Sequence, residues 1–278
     1  MAIDSSLVFD HDESVPRPVI AIGHDYPPSF ELDRHHHLRN QLLYAEKGVA
    51  VVSTPQGAWV APPERAVWIP AGVPHSVRMV GAVSTRSVLI EPGALRFGHR
   101  SSSEAVAQPR SSSEAVAQEE SRCRVVGVSP LMRQLLVAAA SVEREYDVDG
   151  RDGLVMSLLI KELEQAPLIP LSAPFPRSPA LAAKCHAFLE RPSPHDTIDG
   201  WSEDLGMGRR AFTRAFRRET GMSFAEWRQQ ACLLVALPRL AAGEPVTAIA
   251  LDLGYDSPAA FATMFKRLSG MPPSRYQL

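Results

Sequence analysis

The chain has 278 residues, 45% hydrophobic and 22% charged, with a formal net charge of −2, the proportions of an ordinary globular protein long enough for about two domains. It holds no apolar run of the roughly 18 residues that a membrane-spanning helix needs. The acidic, polar start MAIDSSLVFDHDES is unlike a secretory leader, so the expected compartment is the cytoplasm, with no membrane partner. Cys123, Cys185 and Cys232 are an odd, widely spaced set, which argues against a disulfide framework and a zinc knuckle.

Charge is uneven along the chain. Residues 201–278 carry 10 Lys+Arg against 7 Asp+Glu, whereas residues 101–200 carry 10 against 14. Arg209, Arg210, Arg214, Arg217 and Arg218 crowd one short segment, the electrostatic footprint of a polyanion site or, more blandly, of a solvated basic face.

From Gln41 to Glu91 short apolar runs are punctuated by Gly and Pro. Turn signals every 8 to 12 residues predict a β-sandwich or small barrel over residues 1–100. His35-His36-His37 lies shortly before Gln41, and WIPAGVPHSV places Pro70, Gly72 and His75 in the order P-x-G-x-x-H. Together these resemble the two half-motifs of the cupin barrel. On an extended strand His35 and His37 share a face and His36 points away. With Gln41 and His75 they form a candidate set for a divalent transition metal or a small effector, since imidazoles suit Zn, Cu, Fe or Ni. Gln41, where enzymatic cupins carry Glu, is a poorer ligand. The alternative is a barrel whose histidines bond one another or a metal-free ligand.

SSSEAVAQPR followed by SSSEAVAQEE fills residues 101–120, too polar to build a core and too few copies for a solenoid, so a surface loop is expected. Within residues 121–166 two helices are expected: one with Ser129 as N-cap, Pro130 at its first position and Leu131, Leu135 and Ala138 periodic, the other with Leu154, Leu158 and Leu163. Apolar positions not facing the barrel would suit a homodimer. Prolines 167, 170, 174 and 176 predict an extended linker over 167–178.

The last domain, 179–278, opens with a helix capped by Ser178. Two similar units follow, TIDGWSEDLGMGRRAFTRAFRRETG and VTAIALDLGYDSPAAFATMFKRLSG. In each, a short helix with an apolar stripe leads through a Gly-centred turn to a second helix anchored by two Phe at i, i+4: Phe212 and Phe216, then Phe261 and Phe265. The helix between the units, SFAEWRQQACLLVALPRLAAG, should span about 30 Å, near the roughly 34 Å between major-groove segments on one face of DNA. Pro238 should kink it or loosen its last turn. The expected class is α+β: a cupin-like β-barrel with a helix pair, then an all-α domain of two helix-turn-helix units.

The segments GMGRRAFTRAFRRETGMSFAEW and AIALDLGYDSPAAFATMFKRLSGMPPSRY, the latter ending in Gly270, Pro273, Ser274 and Tyr276, resemble the paired helix-turn-helix domain of the AraC/XylS family of transcription regulators. The front half resembles the sensor domain such regulators often carry. The resemblance implies binding to double-stranded DNA, response to a small-molecule effector, and RNA polymerase as a further partner. It directs Arg210, Thr213 and Arg214 to base edges and Arg209, Arg217 and Arg218 to phosphates. In the second unit Pro258, Ala259, Ala260 and Thr263 take the base-facing places, with Ser257, Lys266 and Arg267 on the backbone. Gly208 replaces the usual Ser cap, and Cys232 an Arg. No nucleophile triad, P-loop or dinucleotide fingerprint is present, so a non-enzymatic regulator is expected, the alternative being a metal-dependent cupin enzyme with an appended DNA-binding domain.

Overall fold

The computed structural model describes residues 14–95, 122–192 and 196–277; the tandem repeat and the first thirteen residues lie outside them. The described strands are β1 (Val19–Tyr26), β2 (Glu31–His35), β3 (Asn40–Thr54), β4 (Gly57–Ala61), β5 (Arg65–Ile69), β6 (His75–Ile90), β7 (Arg124–Gly127), β8 (Leu168–Ile169) and β9 (Ser172–Pro174). They form one antiparallel sheet organised around β3 and β6. The first half of β3 pairs with β5 and β6, the second half with β4 and β6. The change of direction falls at register shifts between Ala45 and Val49, where Gly48 has φ 73°. A Cβ there would stand 2.7 Å from the Ala82 carbonyl oxygen, so a bulge at this point requires Gly.

Two boundaries differ from the sequence expectation. The segment expected to be helical from 121 opens with β7, whose Val125 and Val126 pair with β5. The proline-rich stretch 167–178 carries β8 and β9, which join β7 and β4. Proline is tolerated there because these are short strands at the sheet margin, where a missing N–H costs little.

Eight α-helices follow or flank the sheet among the described residues: α1 (Pro130–Ala139), α2 (Arg151–Glu164), α3 (Pro179–Glu190), α4 (Ile198–Asp204), α5 (Arg209–Thr220), α6 (Phe224–Ala241), α7 (Val246–Asp252) and α8 (Pro258–Ser269). Ser129 caps α1, accepting the Met132 N–H at 3.0 Å. At α3 Ser178 holds the N-cap position, but its side chain accepts no helix N–H; its own N–H donates to Glu219 Oε2 of α5 at 2.9 Å. The helix pair packs on the outer face of the sheet through Met132, Leu135, Leu136, Ala139, Met156, Leu159 and Leu163, against Leu42, Tyr44, Trp68 and Val88. Leu131, Leu154 and Leu158 lie on the solvent side, 49%, 67% and 44% exposed.

The other core is shared. Inward residues of the sheet, including Leu43, Ile69, Val77 and Met79, belong to one apolar cluster with the α3–α8 aromatics. Trp227 of α6 is fully buried, with ring centroids 5.6 to 5.9 Å from Phe188, Trp201 and Phe216. Its Nε1–H donates to the Pro174 carbonyl at the end of β9, 2.8 Å away. The helix between the two units is thereby fastened to the barrel.

Candidate nucleic-acid interface and barrel pocket

The two helix-turn-helix units share the bonds of their turns and of their second helices' last turns. Met207 N–H donates to Ser202 O at 2.8 Å, and Tyr255 N–H to Ala250 O at 3.0 Å. Thr220 Oγ1 donates to Phe216 O at 2.7 Å, and Ser269 Oγ to Phe265 O at 2.8 Å. Each second helix ends on a left-handed glycine, Gly221 with φ 78° and Gly270 with φ 85°, a conformation that only Gly adopts without strain. All four Phe anchors are fully buried. The sequence stripe is thus the packing stripe, and the remaining faces of α5 and α8 are left to solvent.

On α5 Arg209, Arg210, Thr213, Arg214, Arg217 and Arg218 are all exposed. They are not equivalent. Arg209 donates to Asp199 of α4 at 2.6 Å and Arg218 pairs with Glu219 at 3.0 Å, while Arg210 and Arg214 form no ion pair among the described residues. Thr213 Oγ1 donates to Arg209 O. On α8 Ser257 accepts the Ala260 N–H at 3.2 Å as N-cap, Pro258 is half-buried, and Ala259, Ala260, Thr263, Lys266 and Arg267 are exposed. Arg267 donates to Gln229 of α6 at 2.6 Å, a partner that sequence reasoning missed because nothing local links residues 38 apart.

The spacer α6 has 18 residues, about 27 Å at 1.5 Å per residue. It opens on a capping box, with Ser223 N–H donating to Glu226 Oε2 at 2.8 Å and Glu226 N–H to Ser223 Oγ at 3.2 Å. The helix continues past Pro238, and the Pro238 and Arg239 carbonyls accept from Ala242 and Glu244. Arg239 then pairs with Glu244 at 2.7 Å and with Asp252 of α7 at 2.6 Å, tying the spacer to the second unit.

In the barrel, His35 closes β2 and His75 opens β6, opposite each other in register. His37 is in the β2–β3 connection rather than on a strand, because β2 ends at His35, its last residue paired with β6. It still turns inward and is buried, while His36 is exposed. The three rings converge, with centroids 4.3 to 5.4 Å apart and one ligand atom from each within 4.8 Å of the others. Gln41 is buried too, its amide nitrogen 3.4 Å from Ser87 Oγ.

The ring tautomers follow from the backbone. His35 Nδ1 is 2.6 Å from Asp33 O and His75 Nδ1 is 2.9 Å from Val73 O. A carbonyl only accepts, so each Nδ1 carries the hydrogen and each neutral ring has its lone pair on Nε2. Burial lowers all three pKa values, His37 to about 3 and His75 to about 4, so the rings are neutral at pH 7. His75 Nε2 and Gln41 Oε1 are buried without a hydrogen-bond partner among the described residues. Neutral imidazoles oriented by backbone carbonyls are what a transition metal takes as ligands, and the set fits one.

A model of the AraC-like ligand binding domain matches residues 17–163, and a model of a helix-turn-helix domain matches residues 201–278. The chain belongs to the AraC family of transcription regulators. Among AraC-family relatives, the HTH-type transcriptional regulator NimR of Escherichia coli K12 is 31% identical over 242 residues, covering 87% of this chain and 81% of NimR. The HTH-type transcriptional regulator RipA of Corynebacterium glutamicum is 27% identical over 127 residues, 46% of this chain and 37% of RipA. Among solved structures, an apo ToxT variant of Vibrio cholerae aligns over 94% of this chain and 97% of its own, at 13% identity and a TM-score of 0.38. The C-terminal domain of the response regulator AraT of Geobacillus stearothermophilus aligns over 36% and 84%, at 24% identity and a TM-score of 0.34. This AraC-family chain therefore joins a ligand-binding domain to a DNA-binding one, and no helix among its described residues is long and apolar enough to cross a membrane.

Proposed function

We propose that this regulator works in the cytoplasm as a homodimer on double-stranded DNA, takes most of its base information through α5, and senses a divalent transition metal at His35, His37 and His75. The convergence of the three buried imidazoles carries the sensing part. A bound metal would supply a fixed positive centre with positions open to a small effector's donor atoms. The protein's part is to hold neutral rings in a buried pocket, two of them on backbone carbonyls. The chain belongs to a family of transcription regulators, so we read the cluster as a sensing site rather than a catalytic one. RNA polymerase is the partner to which such a DNA-bound regulator would answer.

Metal analysis of the purified full chain tests the pocket. We expect one equivalent of metal, or a stoichiometric cobalt absorption band on titration, and loss of both in His37→Ala with the far-UV circular dichroism unchanged. A wild-type chain that takes up no cobalt, zinc or nickel would overturn the metal reading and leave a metal-free effector pocket.

The dimer rests on Leu154 and Leu158, successive exposed leucines one turn apart on α2, a self-complementary apolar patch of the kind a two-fold interface uses. Leu154→Glu with Leu158→Glu should convert a dimer into a monomer in sedimentation velocity. A dimer that survives both changes places the interface elsewhere.

A further inference from the structure

Asp199 is the second residue of α4 and Arg209 the first of α5, and the turn between these helices brings the two side chains together. Arg209 Nη1 donates to Asp199 Oδ1 at 2.6 Å and reaches Oδ2 as well. Both contacts run through one guanidinium nitrogen, without the two-pronged geometry of the strongest arginine and carboxylate pairs. The side chains stay in water, 61% and 68% exposed, where an ion pair adds little to stability. The pair is exchangeable.

The second unit shows that the helix-turn-helix scaffold does not require it. That unit has the same bonds in its turn and at the end of its second helix. Yet Thr247 is the second residue of α7 and Pro258 the first of α8. Both members of the pair are replaced together, so the pair belongs to the arginine-rich unit alone.

The charges of α5 give it a role. A cation in the first turn of a helix faces the positive end of the helix dipole and gains from an anion placed beside it. In α5 that turn holds Arg209 and Arg210 and no acidic residue. Carboxylate and phosphate oxygens are the two acceptors a guanidinium favours, so Asp199 offers Arg209 what a DNA backbone would. Of Arg209, Arg217 and Arg218, the arginines directed to phosphates, the first is on Asp199 and the last on Glu219. Glu219 is also fixed by the Ser178 N–H, whereas the Asp199 carboxylate is bonded to Arg209 alone among the described residues.

We propose that Asp199 is an internal phosphate mimic, which holds Arg209 in competition with the DNA backbone and sets the affinity of the reader below what its basic face allows. A phosphate contact carries no sequence information. Asp199 therefore governs how tightly the chain holds DNA of any sequence, and leaves discrimination to Arg210 and Arg214. The role rests on DNA binding through α5 and is independent of what the barrel takes up.

The test is a salt titration of full-chain binding to random-sequence duplex DNA, followed by fluorescence anisotropy. Random DNA keeps the result apart from the base-reading role of α5. Asp199→Asn should tighten binding at low salt by about fivefold, the upper value for release of an exposed ion pair. It should also steepen the slope of log affinity against log salt by about 0.9, the contribution of one added phosphate contact. Asp199→Thr, which installs the residue of the second unit, should do the same. In an Arg209→Gln background neither change should have an effect. Glu203→Gln, an equal loss of charge from the exposed side of α4, should leave the slope at its wild-type value. An unchanged slope or weaker binding in both Asp199 variants, a gain that persists without Arg209, or an equal gain from Glu203→Gln would overturn the proposal.

Discussion

Trp227→Ala is expected to lower the stability of the full chain by about 3 to 5 kcal/mol, the range for deleting a fully buried large aromatic. The indole is at the centre of the ring cluster formed by Phe188, Trp201 and Phe216, and its Nε1–H is the donor to Pro174 O. Alanine therefore leaves a cavity and strands a carbonyl at the sheet margin. A urea unfolding midpoint compared with that of Trp227→Phe separates the two losses, because Phe restores most of the volume without the donor. We expect Phe to recover most of the stability. A Trp227→Ala midpoint within experimental error of wild type would show that the aromatic cluster is not what joins barrel and reader.

Arg210→Ala together with Arg214→Ala is expected to remove most discrimination between a selected DNA site and its single-base variants. A bidentate arginine on guanine contributes roughly 1 to 3 kcal/mol against a wrong base, so losing two relaxes specificity by about thirtyfold to about twenty-thousandfold over the half-site if each meets one guanine. The prediction concerns these two because Arg209 and Arg218 are already engaged with Asp199 and Glu219. Arg217→Ala is the contrast: a phosphate contact should weaken binding to all sequences alike and flatten the salt dependence by about one unit of slope. Selection of retained fragments from a random pool, followed by competition among variants, reads both effects. Undiminished discrimination in the double variant would move base reading to α8.

Much of the reader was legible because its signals are local. The Phe pairs needed only their spacing of four. The cap at Ser129 was equally plain from the Pro that follows it. What escaped was non-local or two-faced. Nothing in a run of prolines says that Ala173 will pair with Ala58, 115 residues earlier. In α2 apolar residues occur on two faces, so the expected stripe of Leu154, Leu158 and Leu163 found the buried Leu163 but took the exposed Leu154 and Leu158 in place of the buried Met156 and Leu159. His37 was expected on a strand with His35; the strand ends at His35 and leaves His37 in a connection, yet its buried ring meets the same point.

The bond from Trp227 to the last residue of β9 gives the spacer helix a mechanical character. A caliper is usually pictured as held by its jaws, but here the crossbar is clamped to the frame and the jaws project from its ends. A rotation of the barrel's margin must then swing both jaws through the same arc. The gap between them changes only where a jaw has its own screw, and Arg239, reaching from the crossbar to Asp252, has that place. In such an instrument a signal resets the gauge rather than releasing the work, so the sensor would tune which operator spacings are accepted.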